Sequence, residues 1–170
     1  MQRITLSLLL AGLLLLGISQ DSPLSPAALL SNYKNADNAY QRAEQLALRS
    51  EANEALTDAA DNEYRHAARL FIQLLPAVQR SGNDSLAFFI QLKSGLIHHY
   101  FDSLEPAKKL YLDALEYRNK IRVADSIFFK PSLFTGNILY RQDKLDSAIL
   151  YLRRAEQLNL QFGGNLDGSE

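Results

Sequence analysis

Beyond residue 26 the apolar residues of this chain recur at steps of three and four, interrupted by short polar breaks such as "SGND", "DSLEP" and "QDKLDS". That spacing predicts amphipathic helices on both sides of each break, joined in antiparallel pairs. Within "DSLEP", Asp102 or Ser103 is expected to cap the following helix, and Pro106 falls in its first turn, where a missing N–H costs little. By the same logic Asp143 caps the last helix. Pro131 sits where an otherwise continuous helical pattern should run, so that helix either starts late, near Lys130, or is kinked.

The pattern also repeats. With Asp84 set against Asp125, matches follow at Ser85/Ser126, Phe88/Phe129, Leu92/Leu133, Gly95/Gly136, Asp102/Asp143, Leu104/Leu145, Ala107/Ala148 and Ala114/Ala155, at a constant offset of 41 without a gap. A weaker copy precedes them at an offset of 40, with Ala55 in the glycine place, then Tyr64, Ala67 and Leu74. Phe71, Tyr111 and Leu152 hold the large apolar place in the three copies. Three units of two helices result, at about 44–80, 84–121 and 125–160. Residues 25–43 are expected to form an N-terminal capping helix, with Asn32, Lys34, Asn35, Asp37 and Asn38 exposed. A glycine inside a helix costs about 1 kcal/mol relative to alanine, so Gly95 and Gly136 at one register imply close approach of a second helix.

Gly95/Ala107/Tyr111/Ala114 and Gly136/Ala148/Leu152/Ala155 resemble the small-and-large consensus of the tetratricopeptide repeat (TPR) family, at a period longer than its usual 34 residues. The resemblance implies an all-α fold, a right-handed α-solenoid of helix pairs over 27–161, with about three repeats and the capping helix. It also implies that first helices line a concave side where extended or helical peptides bind. The residues facing that groove would then be Phe89, Lys93, Leu96, His99 and Tyr100 in one unit, and Lys130, Leu133, Asn137, Tyr140 and Arg141 in the next. Leu133 stands where the carboxylate-clamp members of the family carry lysine, so capture of an acidic chain terminus by that device is not expected.

Before the repeats, Arg3 precedes the apolar run Ile4 to Leu16, followed by small residues Gly17 and Ser19 and the polar linker 20–26. This is the order of a secretory signal peptide at 1–19, cleaved after Ser19. The run is shorter than the roughly 20 residues that span a bilayer, and an uncleaved anchor is the alternative. An exported chain without cysteine fits a bacterial periplasm or cell surface better than a disulfide-stapled secreted domain. The tail 162–170, "FGGNLDGSE", reads as a loop or the start of a further repeat.

Eighteen basic and nineteen acidic residues leave a net charge of -1, which supplies no field for a nucleic acid or an anionic membrane. The titratable residues form none of the familiar catalytic patterns. Glu63 and His66 make a single Glu-x-x-His pair where a dimetal bundle needs two. The adjacent His98 and His99 diverge by about 100° on a helix and suit packing better than chelation. No phosphate loop, nucleophile elbow or zinc-protease motif occurs. The expectation is a non-catalytic, cofactor-free, exported scaffold that binds a protein or peptide. Two alternatives remain open. The repeats resemble the leading arrays of larger bacterial effectors, such as caspase-like (CHAT) proteins or membrane histidine kinases. Otherwise the chain is a homo-oligomer joined through Leu150, Leu152 and Leu158 on the open last helix.

Overall fold

The computed structural model describes residues 23–50 and 53–162. The expected signal peptide, the first part of the linker and residues 163–170 lie outside them. Six α-helices account for most of the described chain: α1 (Pro26–Ser50), α2 (Thr57–Arg80), α3 (Asp84–Tyr100), α4 (Leu104–Leu115), α5 (Phe129–Arg141) and α6 (Leu145–Gln161). Short 3₁₀ turns at Glu54–Leu56, Glu116–Asn119 and Asp125–Phe128 connect them, and no strand occurs among the described residues. None of these helices is long and apolar enough to cross a membrane.

Each helix packs most extensively on its pair partner, α1 on α2, α3 on α4 and α5 on α6, with lighter contacts from α2 to α3 and from α4 to α5. The fold is therefore three successive helix pairs. In the last two pairs the helices match the expected units. The first pair differs: residues 25–43 do not form a separate capping helix, because α1 runs unbroken from Pro26 to Ser50 and is itself the first helix of that pair. Ala55, assigned to the glycine place, lies exposed in the 3₁₀ turn, and Ala36, Ala39 and Ala43 of α1 are the small residues buried with Phe71 in its place. The longer connection between α1 and α2 shifts the register that a fixed offset of 40 assumed.

Two hydrophobic cores share α3. Leu86, Ala87, Ile90 and Ile97 join the core built by α1 and α2, while Phe88 and Leu92 join the one that holds Ala107, Tyr111, Ala114, Phe128 and Ile138. A helix apolar on nearly every side is one enclosed on nearly every side. Asn83 caps it, its side-chain oxygen accepting from the Leu86 N–H at 3.1 Å.

Pro131 delays α5, as expected. Asp125–Phe128 winds as a 3₁₀ turn, and the α-helix begins at Phe129, leaving Pro131 in its first turn and buried. The tighter turn changes which aromatic faces inward. Phe128, not Phe129, takes the fully buried place against Phe88, with ring centroids 5.1 Å apart.

Asp102 and Asp143 do not cap the helices that follow them. Both adopt left-handed backbone conformations, with φ of 52° and 56°, just past the ends of α3 and α5. The Ser103 N–H donates to the His98 carbonyl (2.8 Å) and the Asp102 N–H to that of His99 (3.0 Å); Lys144 and Asp143 repeat the pattern on Leu139 and Tyr140 (both 3.0 Å). This is the Schellman arrangement, which satisfies carbonyls orphaned at a helix end. Ser103 does occupy the N-cap position of α4, without a side-chain cap bond.

The glycines answer to a direct contact within each pair. A Cβ at Gly95 would lie 2.6 Å from Cε1 of Tyr111, and one at Gly136 would lie 2.7 Å from Cγ of Leu152 and 3.2 Å from its backbone nitrogen. Tyr111 and Leu152 therefore seat on the helix preceding them in their own unit, and Tyr111 also stacks on Phe134 of the next, centroids 5.6 Å apart. Gly136→Ala is expected to lower stability despite a helix-propensity gain of about 1 kcal/mol, and Gly136→Leu to cost about 1–3 kcal/mol. Urea unfolding of these variants with and without Leu152→Ala checks this. If the second substitution recovers none of the loss, the contact is not its cause.

Candidate functional site

The surface proposed from sequence lies on the first helices of the second and third pairs. On α5, Lys130, Asn137, Tyr140 and Arg141 are exposed and Leu133 is half-buried. Their spacing of seven and then three or four residues places them along one helix face. Tyr140 is 63% exposed, and the Arg141 guanidinium meets the Asp102 carboxylate at 3.1 Å, tying the face to the preceding turn.

On α3 the corresponding residues are largely taken up in packing. Lys93 pairs with Asp37 of α1, its ammonium 5.0 Å from the centre of the Tyr40 ring and 6.0 Å from that of Tyr33. Its aliphatic stem and charge are spent between first helices. Asp37, expected to be exposed, is accordingly half-buried. Phe89 packs on Phe88 at 5.1 Å, and Leu96 lies against both cores. The His99 ring sits 4.9 Å from that of Phe134, with Nδ1 3.5 Å from the Tyr111 hydroxyl, and so touches α4 and α5 together. Tyr100 alone of the five is exposed, its ring 4.3 Å from that of Tyr64.

Around these rings the electrostatics favour neutral forms. Burial, with the nearby Glu44 and Tyr100, raises the Tyr64 hydroxyl to about 12. Burial raises Tyr40 further, and its hydroxyl donates to Glu44. Burial lowers His98, and it lowers His99 with help from the Arg141 charge against an opposing pull from Asp102. His66 is exposed, and Glu63 turns to Arg42 at 2.9 Å. Among the described residues no three His, Cys, Asp or Glu side chains gather as a metal site.

A second surface lies on α6, with a different membership from the sequence expectation. Leu158 is buried and Leu152 seats against Gly136, so of the three leucines named only Leu150 is exposed. Beside Leu150, the α6 residues Leu145, Ile149 and Leu160 are open, the last 74% exposed. Leu145, Ile149 and Leu152 correspond at the 41-residue offset to Leu104, Lys108 and Tyr111 of α4, where Tyr111 is fully buried and Lys108 bonds Gln142 at 2.7 Å. The following pair covers that face of α4. No described helix covers it on α6. Sequence comparison with the preceding repeat could have identified Ile149, because Lys108 holds its place with an aliphatic stem.

A base that the fold holds neutral takes up its proton in the unfolded chain first. The stability contributed by His99 is therefore present above about pH 6.5 and lost as pH falls below it. Urea midpoints measured from pH 7.5 to 5 are expected to fall, and His99→Gln to fall less steeply. Parallel slopes would exclude His99 as a source. Comparison with known proteins leaves the surfaces to speak for themselves: no family model, no curated protein and no solved structure matches this chain.

Proposed function

We propose that the chain is a TPR-like α-solenoid, a non-catalytic scaffold that binds an extended or helical peptide along its first helices. The observation that carries this reading is the outward stripe of α5, where Lys130, Asn137, Tyr140 and Arg141 stand exposed on one helix face. An amphipathic tyrosine with few rotatable bonds, flanked by amide and cationic donors, suits a peptide backbone with neutral or acidic side chains. The sequential pairing of the helices and the glycine contacts repeated in the last two pairs support the array. Export behind a cleaved signal peptide, in a bacterial host, belongs to the same proposal and rests on the pattern of residues 1–19 and on the lack of cysteine.

Peptides selected from a random library on the wild-type protein are expected to lose at least tenfold in affinity for an Asn137→Ala/Tyr140→Ala variant of unchanged circular dichroism. Ligands indifferent to both positions would reject the α5 surface.

The open face of α6 favours a second reading, in which a second copy docks there as α5 docks on α4. Sedimentation equilibrium is then expected to show a dimer that Ile149→Glu/Leu160→Glu returns to monomer. A monomer mass independent of concentration would dismiss that reading. In the third reading the repeats serve as the sensory or scaffolding part of a larger effector, and the intact mass of the protein in its host decides it.

A further inference from the structure

A cleft of about 790 Å³ opens between α6 and the 3₁₀ turns that link α4 to α5. Three guanidinium groups line it: Arg118 from the 3₁₀ turn after α4, and Arg153 and Arg154 from the middle of α6. One carboxylate, Asp125, stands against them, and it is already committed to Arg118 at 3.1 Å. Among the described residues neither Arg153 nor Arg154 has an ion-pair partner. The Nε of Arg154 is enclosed from solvent and donates to nothing described.

An arginine donor withdrawn from water without an acceptor is a cost the fold bears. Burial and then the like charge of Arg118 disfavour the Arg154 cation, with Tyr151 and Asp125 pulling the other way. An arriving anion would offset the crowded charge through the guanidinium groups that line the cleft. Asn119 and Gln157 add amide donors, and Leu150, 68% exposed, forms an apolar ledge beside them.

We infer that this cleft is a carboxylate-binding site, recognising a glutamate or aspartate side chain on an acidic peptide segment. Arginine meets a carboxylate in bidentate fashion, one guanidinium to one carboxylate, so the two uncommitted guanidinium groups offer places for carboxylates of an acidic segment. The cleft falls in the range that holds ligands well beyond a single ion, so the carboxylate arrives attached to something that also covers Leu150. The site is separate from the α5 stripe and does not rest on that stripe's role.

The test is a titration of the protein at low ionic strength with hexaglutamate, with hexaglutamine and with inorganic phosphate as separate probes, followed by the arginine Nε–Hε signals in NMR spectra. Hexaglutamate is expected to shift the Arg154 signal and to bind at least tenfold more weakly to Arg153→Gln/Arg154→Gln. Asp125→Asn, which releases Arg118, is expected to bind more tightly, an outcome that loss of folding cannot mimic. Asn137→Ala/Tyr140→Ala should leave this binding unchanged even if it abolishes peptide binding at α5. Phosphate binding without hexaglutamate binding, equal response to hexaglutamine, or a hexaglutamate affinity indifferent to both arginines would each overturn the assignment.

Discussion

The interlock of one large side chain with one absent side chain organises this fold. Tyr111 and Leu152 each occupy the space that a Cβ on the preceding helix would fill, so the second helix of a pair can approach the first only where Gly95 or Gly136 stands. The buried alanines on either side, Ala107 with Ala114 and Ala148 with Ala155, keep the rest of the contact equally close. Burial of the apolar stripe supplies the drive, and the missing Cβ fixes the register. In the first pair the same need is met by Ala36, Ala39 and Ala43 around Phe71, so the three pairs share a principle without sharing a spacing.

From that approach follows the division between surface and interior on the first helices. Once α1 and α3 are drawn together, Lys93 reaches Asp37 and the Tyr33 and Tyr40 rings, and a residue that reads as a ligand donor becomes a clasp between pairs. A partly enclosed pair of this kind gains strength from the low dielectric and from the rings beneath it, and it is worth little as a free surface charge. Among the described residues the third pair has no such neighbour on its outer side, and its first helix keeps Lys130, Asn137 and Tyr140 open.

Most of the helical plan was legible in the sequence because the 41-residue offset needs no three-dimensional knowledge: α3 to α6 lie where the repeat puts them. The offset failed where chain length between helices changed, which is why Ala55 was mistaken for the counterpart of a glycine and α1 was divided. It also failed at Phe128, since the 3₁₀ turn imposed by Pro131 spends three residues per turn instead of 3.6. Asp102 and Asp143 are a matched pair in the sequence, and their task is ambiguous there, because aspartate is favoured both at N-caps and, after asparagine, in left-handed turns. Of the ten residues that the resemblance assigns to a groove, Lys130, Asn137, Tyr140 and Arg141 on α5 and Tyr100 on α3 are exposed, whereas Phe89, Lys93, Leu96 and His99 are partly buried in packing that the spacing along one helix does not reveal. The arginine cleft is invisible in the sequence for a simpler reason: residues 118, 125, 153 and 154 meet only once α6 lies beside the 3₁₀ turns between α4 and α5.

The position of α3 between two cores bears on how the molecule comes apart. In a stacked array each unit touches only its neighbours, so an end can in principle fray while the remainder holds. Here Phe88 and Leu92 point into one core while Ile90 and Ile97, on the same seventeen-residue helix, point into the other. Detaching the first pair would bare half of α3 to water, and loosening the last two would bare the other half. Parting the pairs on either side of α3 therefore exposes apolar surface of that helix, which couples the pairs energetically.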